Sequence, residues 1–195
     1  MVEAEGLAMQ ILVLLILLTM ALSSCTPILF QGTRLRQLNL ESNYAKPALY
    51  TATPGDGKLV GGLFDYKDDT GRQLNDGLIG QEDIFARLQK GPAYEWVGWL
   101  KKDPVLKFRF PKTIKAQRIL IGFNRSSTYT VALPTRVIIN GVPFAFSGDE
   151  IPNHRRGFVG FVGPFEGSEF EIKLFRRNAW LFVDEVLFVT DNSRQ

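Results

Sequence analysis

After residue 25 no stretch of the chain places apolar residues at helical spacing for more than two turns, while alternation with a period of two recurs along its length. The best helical candidate, Ile84 to Lys90, is stopped by Gly91-Pro92. In Val105 to Phe110, by contrast, Leu106, Phe108 and Phe110 fall on one face and Val105, Lys107 and Arg109 on the other, as a half-buried strand requires. Phe170-Glu171-Ile172-Lys173-Leu174 repeats the pattern. Arg118 to Phe123 and Trp180 to Val183 read as more deeply buried strands. Asn140-Gly141, between Arg136 to Ile139 and Val142 to Phe146, can take positive φ at both positions and so predicts a two-residue hairpin. Pro143 then marks the second strand of that hairpin as an edge or a bulge. About eight short strands separated by Gly, Pro and Asn turns predict an all-β sandwich, and 195 residues suffice for one such core.

Two scarcities narrow the chemistry. One Cys forbids an intramolecular disulfide and every multi-cysteine metal site, and one His forbids a His-pair metal centre. No Gly-x-Ser-x-Gly elbow, phosphate loop or His-Glu-x-x-His is present. The neighbours Asp184 and Glu185 should point to opposite faces of a strand and so should not converge. A formal charge of +3 is far from the concentrated basic surface of a nucleic-acid binder.

Ile11 to Leu22 is an uncharged apolar run whose length suits a secretory segment and falls short of the roughly 20 residues of a membrane span. The residues before it include Glu3 and Glu5 and no Lys or Arg. Leu22-Ser23-Ser24-Cys25, which ends the run at the only Cys, resembles the lipobox of bacterial lipoproteins. The resemblance implies a signal peptide over 1–24, lipid on Cys25, a tether over 25–47, and an exported protein held at the cell envelope. Thr26 in the next position implies the outer membrane where the source has two. The alternative is an uncleaved apolar helix.

Four landmarks in order carry a second resemblance. They are Leu74-Asn75-Asp76-Gly77, then Glu95 to Trp99 with Val105 to Phe110, then Val131 to Ile139 with Pro134, and finally Trp180 to Val186 with Glu185. Together they resemble discoidin-like, galactose-binding-like domains, the coagulation-factor C-type module. The likeness covers most of a domain over 48–192. It implies an eight-stranded antiparallel jelly-roll β-sandwich and a non-catalytic binding role. It also implies a structural Ca²⁺ between the Asp-Gly turn and the last strand, with Asp76 and Glu185 as carboxylate ligands and Gln81 as a carbonyl donor. The alternative is that Asp76 closes an Asx turn while Glu185 faces solvent.

Ligand contact in such a sandwich belongs to the loops at one end, where side chains vary without disturbing the ladder. Asn124, Arg125 and Tyr129 in one segment, with His154 and Arg155 in another, combine an aromatic face with groups that grip hydroxyls or an acidic sugar. Tyr66 is a further loop aromatic. A solvated basic turn is the competing explanation of the same residues. Trp96 and Trp99 have opposite parity, so at least one belongs to the core. The expected function is therefore that of a lipid-anchored envelope protein that binds carbohydrate or another extracytoplasmic ligand. The alternatives are an assembly lipoprotein that docks another envelope protein and, more weakly, a polysaccharide-active enzyme.

Overall fold

A computed structural model describes residues 28–31, 44–56, 66–68, 70–80 and 95–190. The apolar run, Cys25, Gln81 and the candidate helix at 84–90 lie outside the described residues. Nine strands follow in order: β1 (Ile28–Gln31), β2 (Tyr44–Ala45), β3 (Leu49–Ala52), β4 (Val97–Trp99), β5 (Val105–Arg125), β6 (Arg136–Ile139), β7 (Val142–Ala145), β8 (Arg155–Phe175) and β9 (Leu181–Thr190). Every pairing between them is antiparallel.

The strands expected at 105–110 and 118–123 prove to be two halves of one 21-residue strand, and 170–174 is the far half of another. In their outer halves β5 and β8 pair with each other, β3 extends the sheet beyond β5, and β6 and β7 extend it beyond β8. In their inner halves they pair again, now flanked by β9 and β1. Between the halves the register slips, at Arg109/Ile114 and again at Ala116/Arg118. Pro111 and Pro164 stand at these slips, where a missing N–H costs no ladder bond. The bends carry both strands from one sheet of the sandwich into the other without a turn.

Between the sheets lies a phenylalanine-rich core. Leu106, Phe108, Phe110, Phe170, Ile172 and Leu174 face Ile119, Ile121, Phe123, Val159, Phe161 and Phe188, all buried. Phe188 meets the rings of Phe108, Phe110 and Phe170 at 5.1, 4.9 and 5.1 Å. The predicted alternation in β5 holds residue by residue, with Lys107 and Arg109 exposed. The hairpin forms at Asn140-Gly141 with φ of +47° and +85°, and Pro143 lies on the edge strand β7. Both Trp96 and Trp99 are buried; Trp99 Nε1 donates to Thr53 O at 2.8 Å.

The second sheet is covered on its outer face too. Leu120, Phe158, Leu187 and Val189 form a separate buried cluster there, with Tyr44 and Ile79 packed on it. Ile79 belongs to segment 74–80, which lies along β9: Leu74 O accepts from Val186 N, while Gly77 N and Gly80 N donate to acids of that strand.

Candidate functional site

Two loops meet at the end of the sandwich where β5 stops and β8 begins. Asn153 joins them in both directions: its Oδ1 accepts from Ser127 N at 2.8 Å and its Nδ2 donates to Ser127 Oγ at 2.7 Å. His154 Nδ1 lies 3.1 Å from Ser126 Oγ. Arg125 Nη1 donates to Ile151 O at 2.8 Å, and its other terminal nitrogen pairs with Asp149 at 2.9 Å. Arg125 and Arg155 are direct cross-strand partners. Like charges at such positions repel, and Asp149 offsets this.

These contacts fix the loops while leaving their tips accessible. Tyr129 is 39% exposed, and His154 and Arg155 are exposed. His154 has φ of +59° and Thr130 of +54°, a left-handed backbone that non-glycine residues seldom adopt and that recurs at binding sites. The braced loops thus carry an aromatic face at Tyr129 on one and an imidazole and a guanidinium at His154 and Arg155 on the other. Such a set can stack on the apolar side of a sugar and donate to its hydroxyls or to an acidic group.

Of the residues expected to bind ligand, Arg125, Tyr129, His154 and Arg155 lie at this end of the sandwich. Asn124 does not join them. It follows the alternation onto the covered outer face of the second sheet, is fully buried, and pairs in register with Arg156. Tyr66 is likewise internal at 1% exposure, set against Trp180 and Phe182 at 5.4 and 4.6 Å, and burial pushes its phenol up to about 12. The bracing residues Ser126, Ser127, Asn153 and Asp149 were not foreseen; their partners are 24 or more positions away, beyond any local pattern.

A second polar cluster lies under segment 74–80. Asp184, with no exposed surface, accepts from Arg156 Nε at 2.8 Å and Nη2 at 3.1 Å, and from Gly80 N at 2.7 Å. The guanidinium sits 3.9 Å from the centre of the Phe158 ring. Gly122 leaves the room, since a Cβ there would fall 1.9 Å from Asp184 Oδ1. Glu185, also buried, accepts from Gly77 N at 3.0 Å.

The expectation that Asp184 and Glu185 diverge is corrected here. Ile121 pairs with Val186 and Phe123 with Val183, so two residues of β9 oppose Gly122 alone. At this bulge the simple alternation fails, and both carboxylates reach the same turn.

Burial, first, and then the negative charges of Asp184 and Asp76 push the Glu185 carboxyl up to about 9, against the pull of Gly77 N–H and Arg156. Burial also raises Asp76, whose Oδ1 accepts from Leu78 N at 2.8 Å in an Asx turn. The charge on Asp76 thus opposes ionisation of Glu185, while Asp68 and Glu95 oppose that of Asp76. A hard divalent cation would relieve that repulsion, and the oxygen donors suit Ca²⁺. Among the described residues no three His, Cys, Asp or Glu side chains gather as a metal site.

No protein-family model matches the chain, and no curated protein matches it. Solved structures do. The CBM32-1 and CBM32-2 domains of Clostridium perfringens ZmpB align with a TM-score of 0.54 at 10% identity over 85% of this chain and 41% of theirs. The same domains in complex with GalNAc give 0.53 at 10% identity, covering 85% and 40%. A ZmpB structure that adds the M60 catalytic domain gives 0.50 at 12%, covering 87% and 17%. The chain thus spans about two fifths or less of these three solved chains. Order of strands, two-sheet core and structural likeness agree, and the chain has the discoidin-like, galactose-binding-like jelly-roll fold.

Proposed function

We propose that this chain is an exported, lipid-anchored protein of the cell envelope that binds carbohydrate through the loops at 126–131 and 149–155 without turning it over. The observation that carries the reading is the stitching of those loops by Asn153, Ser127, Ser126 and His154, which ties together the two segments that carry exposed Tyr129, His154 and Arg155. Tyr129 supplies the stacking face, while His154 and Arg155 donate to ring hydroxyls. The likeness in fold to domains solved with GalNAc supports a sugar as the ligand. Lipid on Cys25 supplies the attachment, and the apolar run before it the export signal. Asp76 and Glu185, with Gln81, would hold a Ca²⁺ that pins segment 74–80 to β9 and takes no part in ligand chemistry.

The test is a glycan array probed with the domain from residue 26 onward, followed by titration of the best glycan. Tyr129→Ala and His154→Ala should each weaken binding about tenfold, equivalent to about 1.4 kcal/mol. Retention of a single envelope protein with no glycan bound would replace this reading with that of an assembly protein.

A further inference from the structure

We infer that the sandwich stands on the membrane by its bulge end, around Arg118, Val162 and Pro164, with the candidate binding loops turned away from the bilayer. The inference rests on the proposed membrane attachment near Cys25. It is argued for acylated Cys25, which puts the membrane just ahead of Thr26.

Strand β1 supplies the direction. It runs antiparallel to β8, with Ile28 opposite Gly160 and Gln31 opposite Gly157. The chain therefore enters β1 from the Val162 side and travels towards Arg155. Only Thr26 and Pro27 separate Cys25 from Ile28, and the three steps between them span at most about 11 Å when fully extended. From Gly160 back to Arg155 is five residues of strand, about 17 Å. An attachment at Cys25 thus falls short of the loops even if the tether doubles back, whereas it reaches the bulge with ease.

The surface at that end suits lipid headgroups. Val162 is 42% exposed and Pro164 is exposed, and with Gln117, Arg118 and Gly163 they line a shallow depression. Exposed Lys112 and Lys115 stand on the same stretch of β5. Lys115 pairs with Glu166 at 3.4 Å. Apolar side chains set among Lys and Arg are the combination that settles against an anionic bilayer. The Val162-to-Arg155 length of β8, about 23 Å, then holds the binding loops clear of the surface.

The full chain is placed in phosphatidylcholine vesicles containing a minority of phosphatidylglycerol and a trace of headgroup-labelled lipid. A fluorophore is attached at Val162→Cys or, in a second variant, at Thr128→Cys, with the unsubstituted chain as the background for Cys25. Energy transfer from position 162 should exceed that from position 128 several-fold. Equal transfer, or more from 128, in protein that floats with the vesicles would overturn the orientation and leave the anchor standing. Failure of the full chain to float would overturn both.

Discussion

Arg156→Met isolates the buried ion pair beneath segment 74–80. In the native chain Asp184 has three hydrogen-bond donors at 2.7 to 3.1 Å and no exposed surface, and Arg156 is 6% exposed. The substitution removes the charge that balances Asp184 and leaves a carboxylate held by Gly80 N–H alone, at a cost of about 3–5 kcal/mol. That is a fifth or more of the roughly 5–15 kcal/mol that holds a typical domain together. Replacing the partner as well, Arg156→Met with Asp184→Leu, removes both charges. It strands only the Gly80 N–H, so its cost should fall to about 1–3 kcal/mol. The double variant is therefore expected to be more stable than either single one. Urea unfolding followed by the fluorescence of the three tryptophans measures all three. Gly122→Ala, which drives a Cβ into Asp184 Oδ1, should resemble Arg156→Met. Additive losses in the double variant, or a single-variant loss below about 1 kcal/mol, would refute the account of Asp184 as a buried charge that depends on Arg156.

Glu185 makes stability depend on pH. Its folded value of about 9 stands above the ordinary 4.5, so the native chain keeps a proton that the unfolded chain releases between those limits. The stability this contributes is full below about pH 4.5 and is lost as pH rises through about 9. The melting temperature should decline across that window, and Glu185→Gln should flatten the decline; a flat profile in the native chain contradicts the burial argument. Ca²⁺ at neutral pH should raise the melting temperature in the native chain and leave Asp76→Ala unmoved, whereas indifference of the native chain to chelator would remove the metal. Phe188→Ala, which empties the meeting point of three other rings, should cost about 3–5 kcal/mol in the same urea assay, and a cost under about 1 kcal/mol would show that the core collapses around the gap.

Alternation made the outer halves of β5 and β8 legible, because each has one face in the core and one in water, and the residues sort accordingly. The Asn140-Gly141 hairpin was legible for a different reason: its turn needs two left-handed residues, and few pairs supply them. What alternation concealed was continuity. Pro111 and Pro164 look like strand ends, yet at a bulge their missing N–H has no partner to lose, and the strands run on. The inner halves, buried on both faces, carry too little polarity to show a period. At the site, Arg125, Tyr129, His154 and Arg155 were visible as loop residues of suitable chemistry. Asn124 was misplaced because β5 extends to Arg125, so parity rather than loop membership decides where it points. The Arg156–Asp184 pair had no local signature: Arg156 follows Arg155 directly in the sequence, and its partner is 28 positions away.

The position of β9 bears on when this chain can fold. β9 pairs with the inner half of β5 on one side and with β2 and β4 on the other, and its acids fasten segment 74–80. None of those pairings can close before residues 181–190 have been synthesised and brought to strands encoded from about 60 to more than 130 positions earlier. Pairing at such sequence separation is slow, on the order of milliseconds to seconds. For the export proposed above, that delay is an advantage. Its second sheet stays open through most of synthesis, and the order of its strands keeps it threadable until the last of them is made.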